Sequence, residues 1–322
     1  MVQRNLALAV IGIMLVLSGC RLSGDGAGPA PTLSLTRTPL PLSPTATWTA
    51  TASLSPTLTP ATMPTMPPAE AYDLLLELLQ TNGGCELPCW WGISPGISTR
   101  EEVETKLEPL LGIATGFYPG KKGGAISLDY PAGELLLSLS LDYKFPLEDR
   151  IEILAISTHM SRYIDLGAGD YEFQPVYDSP AYRELLAPYT LDRMLASFGP
   201  PERALVRGVV YAERYPGLWE EMFLTLLYPE RGVFTRYTMV GEREGDTFIG
   251  CPARAFIDLW LVLPGKEEYE ALLSLTGDWE GDFSDTKSLE EATGMNVEEF
   301  YRLFQDPNRC IETPLSVWPQ EH

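Results

Sequence analysis

Histidine is almost missing from this chain: His159 and the terminal His322 are the only two in 322 residues. Neutral imidazole is the commonest metal ligand and the usual general base near neutral pH, so histidine-based metal and triad chemistry has no material here. Basic charge is short as well, with 23 Lys and Arg against 44 Asp and Glu and a net charge of −21. That balance repels nucleic acid and anionic headgroups and disfavours both as general partners. There is no Gly-rich phosphate loop and no His-Glu-x-x-His pair. We therefore expect no cofactor, no resident metal and no catalytic residue.

A short apolar run is present at the amino terminus. Arg4 precedes Leu6 to Leu17, which ends in Leu17-Ser18-Gly19-Cys20. A basic start, a brief apolar stretch and a small residue before a cysteine describe a secretory signal, and these four residues resemble a bacterial lipobox. The resemblance implies cleavage before Cys20, acylation of its sulfur with palmitate-type chains, and a cell-membrane anchor on the extracytoplasmic face. An uncleaved membrane anchor competes, but the run falls short of the ~20 residues a span requires. Residues 21–68 follow with 11 Thr, 10 Pro and 5 Ser. Such a composition buries little and withholds backbone donors, so a disordered tether is expected. Fully extended, it reaches roughly 150 Å at about 3.1 Å per residue.

Beyond the tether the pattern alternates between helical and strand periods. Leu74, Leu75, Leu76, Leu78 and Leu79, with Tyr72, make an apolar-faced helix that stops at Asn82-Gly83-Gly84. Thr99 and Glu102 have capping-box spacing ahead of a second helix at 100–108. Period two then sets in at Ala125–Tyr130, at Leu135–Tyr143 and from Ile151. The order recurs: Thr190 is placed to cap a helix at 191–198, and strands are expected at Leu205–Tyr211, Met222–Tyr228 and Val233–Met239. Ala255–Leu263 reads as a further strand, Glu267–Leu275 as a helix, and Asn296 as the cap of a last one. The expected fold class is α+β, tandem two-layer modules of two helices on a three-stranded antiparallel sheet, against one mixed sheet covered by four helices. The expected divisions are a signal peptide (1–20), tether (21–68), first module (69–160), connector (161–177), second module (178–250) and C-terminal extension (251–322).

Gly96-Ile-Ser-Thr-Arg-Glu-Glu-Val103 with Gly112, and Thr190-Leu-Asp-Arg-Met-Leu195 with Phe198-Gly199-Pro200-Pro201, resemble the helix signature of BamE/SmpA-like domains. That resemblance implies tandem modules like those of the β-lactamase inhibitor protein family, and uses in protein–protein contact. The lipobox, the tether and Cys85-Glu-Leu-Pro-Cys89-Trp-Trp-Gly also resemble uncharacterised lipoproteins of Chloroflexota-type bacteria.

With Cys20 lipidated, four cysteines remain, and an exported chain favours two disulfides. Cys85–Cys89 and Cys251–Cys310 are the preferred pairing among three; a four-cysteine zinc site competes but lacks two short knuckles. Several motifs tempt and fail. Gly92-Ile-Ser94-Pro-Gly96 has nucleophile-elbow spacing, yet Pro95 has no N–H to give an oxyanion. Ser284-Asp-Thr-Lys287 stands without its companion motifs. Asp278, Glu280 and Asp282 lack the glycine and glutamate of a calcium loop. His159 is expected at a sheet edge. Trp90 and Trp91 are the binding-surface candidates, against a purely structural role in core and seam. The functional expectation is a non-catalytic extracytoplasmic lipoprotein that binds an envelope protein; a carboxylate-based hydrolase or glycan-processing enzyme, and a small-molecule or metal-binding lipoprotein, are the alternatives.

Overall fold

The computed structural model describes residues 66–145, 149–167, 170–211, 219–265 and 285–321. All lie in the second of the chain's two units, Met1–Pro60 and Ala61–His322. Helix α1 (Pro68–Thr81) begins with a proline in its first turn and buries Ala71, Leu75 and Leu79, four residues apart on one face. Asn82 ends it in the left-handed region at φ 54°. Helix α2 (Arg100–Leu107) carries the expected capping box: Thr99 Oγ1 accepts from Glu102 N at 3.3 Å, and Glu102 Oε2 accepts from Thr99 N at 2.8 Å. Val103 and Leu107 are its buried positions.

Strands β1 (Ala114–Gly120), β2 (Gly123–Ala132), β3 (Leu135–Lys144), β4 (Ile153–Gly167) and β5 (Asp170–Pro175) follow as an antiparallel meander. On β3, Leu137, Leu139, Leu141 and Tyr143 point into the core while Ser138, Ser140 and Asp142 point out. Burying each of those leucines contributes about 1.5–3 kcal/mol, which fixes the register because a one-residue slip would expose them all. Helices α3 (Pro180–Leu185) and α4 (Leu191–Phe198) lead into β6 (Arg203–Tyr211), β7 (Glu221–Tyr228), β8 (Val233–Glu244) and β9 (Thr247–Val262). The chain then supplies β10 (Lys287–Ser288), α5 (Leu289–Thr293), α6 (Val297–Leu303), β11 (Ile311–Pro314) and β12 (Gln320–Glu321).

Among the described residues these strands form one sheet, ordered β1-β2-β3-β4-β9-β8-β7-β6-β10, with β5 on β4, β11 on β9 and β12 on β6. Every pairing is antiparallel except β12 with β6. This overturns the expected tandem of small three-stranded modules and the modular architecture implied by the family resemblance. The cause is the junction of β4 with β9, paired from Ile153↔Val262 to Ser157↔Asp258. β9 is 16 residues long and runs across the expected boundary between the second module, ending at 250, and the extension, starting at 251. Two further expectations are corrected. Thr190 stands at the N-cap of α4, but its hydroxyl donates to Ala187 O at 3.0 Å instead of accepting a helix N–H. His159, expected at a sheet edge, lies within β4, opposite Ser138. The helix expected at 267–275 and the acidic loop at 278–282 fall outside the described residues, as do Cys20, residues 21–65 of the tether and Ser284, while Pro68, expected as the end of the tether, already opens α1.

Candidate functional site

Both expected disulfides are present, Cys85–Cys89 with Cα atoms 5.7 Å apart and Cys251–Cys310 at 4.1 Å. Buried Asn82 organises the first loop: its Nδ2 donates to Cys85 O (2.8 Å) and Cys89 O (2.9 Å), and its Oδ1 accepts from Trp91 N (3.2 Å). The sequence-derived binding residues of this loop are not on the surface. Trp90 and Trp91 are 1% and 5% exposed, with rings stacked 3.8 Å apart. Trp90 Nε1 donates to Tyr189 Oη at 2.8 Å and Trp91 Nε1 to Leu78 O at 3.1 Å. A positive φ of 55° at Trp91 turns the chain sharply between the two residues, which brings their rings onto one side. Their apolar area is already spent on the core, and a partner has no access to it.

The structure instead draws attention to the place where the sheet opens. Pairing of β4 with β9 stops at Ser157, and pairing with β5 begins only at Ser161. Tyr182 of α3 fills the wedge. Ile257 N donates to Tyr182 Oη (2.7 Å), Tyr182 Oη lies 2.6 Å from Thr158 Oγ1, and Thr158 Oγ1 donates to Ile257 O (2.6 Å). With Tyr182 donating to Thr158, the three groups form a closed ring in which each hydroxyl gives one bond and takes one. The ring replaces the ladder bonds lost by the splay, and burial pushes the Tyr182 phenol pKa far up, so it stays neutral.

Two surfaces flank the wedge. One is the outward face of the sheet, whose register aligns Ser127, Ser140 and Ser157 across β2, β3 and β4, followed by Asp258 on β9 and Arg236 on β8. The next rank holds Asp129, Ser138 and His159. Ser127, Ser138, Ser140 and Ser157 are half-buried and His159 is exposed. Desolvation of the His159 ring disfavours its charged form and lowers its pKa, opposed by Asp129 and Asp258, and the Phe256 ring lies 6.3 Å away. At the edge of this face the cross-strand pair Tyr163 and Phe173 is 47% and 56% exposed, with ring centroids 5.6 Å apart. Arg236 and Asp258 form a buried ion pair, Nε to Oδ2 at 3.0 Å with a second bond from Nη2 to the same oxygen. The guanidinium sits between Phe223 (5.4 Å) and Trp260 (5.1 Å).

The second surface is a cleft of about 320 Å³ between the segment 174–178 and the ends of β8 and β9, with Arg162, Tyr177, Trp219, Glu242 and Arg254 among its lining. Tyr177 is held by stacking on Phe256 at 4.2 Å and donates to Glu221 Oε1 at 2.9 Å. Burial raises the Glu221 carboxyl pKa, opposed by that bond and by Arg236 and Arg207. A separate cleft of about 400 Å³ beside the Cys85–Cys89 loop is lined by Glu86, Tyr189, Ser197 and Arg231 among others. Among the described residues no group of three or more His, Cys, Asp or Glu is placed to hold a metal.

The sequence marks none of Tyr177, Trp219, Glu221, Arg236 or Asp258 as a site residue, and Tyr182 only as an apolar position of a short helix. A signal existed for two of them, since a charge amid apolar alternation, Arg236 after Phe234 and Asp258 before Trp260, marks a strand position that must find a partner. Tyr182 and Trp219 carry no such mark. Among the described residues no helix is long and apolar enough to cross a membrane. Comparison with protein-family models, with curated proteins and with solved structures finds no match to the chain.

Proposed function

We propose that this chain is a lipid-anchored extracytoplasmic lipoprotein whose folded body is a non-catalytic binding module for an envelope protein. The anchor is the lipobox cysteine, Cys20, and residues 21–68 are the tether. The observation that carries the binding reading is the outward face of β2–β4, where Ser127, Ser138, Ser140 and Ser157 make a low surface on a rigid sheet. Serines lose little rotamer freedom when covered, so a partner meets a small ordering cost. The exposed Tyr163–Phe173 pair at its edge supplies the large rings that anchor interfaces.

The test is site-specific photocrosslinking of the full chain in its native envelope, with the reactive group at Ser138 or Ser140 and, as control, at exposed Thr105 on α2. One discrete adduct from the sheet positions and none from Thr105 supports the reading. The same pattern from all three positions rejects it. Mass spectrometry of the mature amino terminus tests the location, and an intact Met1 or an unmodified Cys20 rejects the lipoprotein. One observation favours a second reading, a carboxylate-based hydrolase: Tyr177 of the cleft lining bonds the partly buried Glu221 carboxyl, whose pKa is raised by burial, and this pair would serve as the acid. Substrate turnover abolished by Glu221→Gln would establish it.

A further inference from the structure

The cleft beside the splay has the chemistry of a small-ligand site, and it is separate from the outward serine face. Its volume of about 320 Å³ lies at the lower end of the range of about 300–1,000 Å³ typical of such pockets. One wall is the β4–β5 hairpin, where Arg162 and Gln174 are register partners and stand side by side. The lining also includes Trp219, Glu242 of β8 and Arg254 of β9. Trp219 is 47% exposed, so a large ring surface at the cleft mouth remains in water in the absence of a ligand.

The lining discriminates among ligands. Arg162 and Arg254 are balanced by Asp178 and Glu242, so the cleft is locally close to neutral in a chain of net charge −21. An anion would face two carboxylates and the field of the whole body, and a cation would face two guanidiniums. A purely apolar ligand would strip water from Arg162, Gln174, Asp178 and Glu242 without replacing their hydrogen bonds. A ring that carries several hydroxyls, with C–H bonds on its faces, meets each group in kind. Its hydroxyls give to Glu242 and Asp178 and accept from Arg162 and Gln174, while its C–H face lies on the electron-rich face of the indole. The walls are also held in place before any ligand arrives. Tyr177 is stacked on Phe256 and bonded to Glu221, Cys251 is tied to Cys310, and Arg254 Nη1 lies 3.4 Å from Glu242 Oε1.

We propose that this cleft binds a neutral glycan end, one or two sugar rings, stacked on Trp219 and hydrogen-bonded by Arg162, Gln174 and Glu242. The experiment is isothermal titration of the full chain with cellobiose, maltose and N,N′-diacetylchitobiose, and with the uncharged peptide acetyl-tetraalanine-amide for comparison. At least one disaccharide is expected to bind. Trp219→Ala should weaken that binding about tenfold, and Arg162→Ala should also weaken it, with the melting temperature unchanged in both. Trp219→Phe keeps a ring and should lose less, which separates stacking from misfolding. Three silent disaccharides, binding indifferent to both alanine variants, or binding of the peptide alone would each overturn the proposal. Any of these would leave the serine-face reading standing, because Ser138 and Ser140 do not line the cleft.

Discussion

Replacing Tyr182 by phenylalanine removes one oxygen from the hydrogen-bonded ring that bridges the splayed strands and leaves the aromatic packing in place. The residue is 1% exposed and its ring meets Phe256 edge-on at 5.5 Å, so the variant loses almost no apolar burial. It does orphan the Ile257 N–H, whose acceptor is Tyr182 Oη at 2.7 Å, and a buried unsatisfied donor costs about 1–3 kcal/mol. Thr158 keeps its bond to Ile257 O and loses only the proton it accepts, a smaller penalty. The expected destabilisation is about 2–3 kcal/mol, read as a lower urea midpoint at unchanged m-value. Thr158→Val breaks the ring at its second hydroxyl and orphans the Ile257 carbonyl. If the ring acts as a unit, the double variant should be less destabilised than the sum, with a coupling of about 1 kcal/mol or more. A loss under about 0.5 kcal/mol for Tyr182→Phe, or strict additivity in the cycle, would refute the ring as the element that holds the wedge closed.

Three other perturbations have defined outcomes. Asp258→Ala takes from buried Arg236 the carboxylate that its Nε and Nη2 both bond and should cost about 3–5 kcal/mol in chemical denaturation, whereas Arg236→Met combined with Asp258→Leu should recover most of that loss; failure of the double variant to recover would mean that the pair is needed for more than charge balance. Removing the Cys251–Cys310 bridge with paired serines opens a 59-residue link and should lower stability by about 4 kcal/mol on loop entropy alone, and an unchanged urea midpoint would contradict this. Glu221 holds its proton more tightly folded than unfolded, so the folded state binds more protons between about pH 4.3 and its raised pKa; stability from this group is complete below that window and falls as pH rises through it. Glu221→Gln should flatten that fall in urea titrations across the acidic range, and an unaltered slope would show that the carboxyl is not the group responsible.

Local structure was legible in the sequence, and long-range structure was not. The capping box at Thr99, the left-handed stop at Asn82 and the alternation of Leu137, Leu139 and Leu141 are settled within a few residues, by hydrogen bonds and faces that the chain order specifies. The disulfides were legible from chemistry and separation. The single sheet was not, because it rests on Ile153 meeting Val262, and both strands alternate equally well whichever edge they choose. For Trp90 and Trp91 the sequence offered a binding surface and a structural role in core and seam; the structural role is the one found, and the positive φ at Trp91 that stacks the rings leaves no trace in composition. The cleft is assembled from Arg162, Tyr177, Trp219 and Arg254, which only the completed sheet brings together.

The junction between β4 and β9 also imposes a timetable. Ser157 must wait for Asp258, 101 residues later in the chain, before its edge of the sheet is covered. At about 5–20 residues per second, synthesis alone leaves that edge unpaired for roughly 5 to 20 s. During that interval β4 offers unpaired backbone donors and acceptors to any extended chain nearby, which is the usual route to edge-to-edge aggregation. Bringing the two strands together is then a long loop closure, the kind of step that slows β-rich proteins. A nascent chain stopped short of residue 247 would lack β9 altogether and could not cover β4 by this pairing, so the last quarter of the polypeptide governs when the first half is safe.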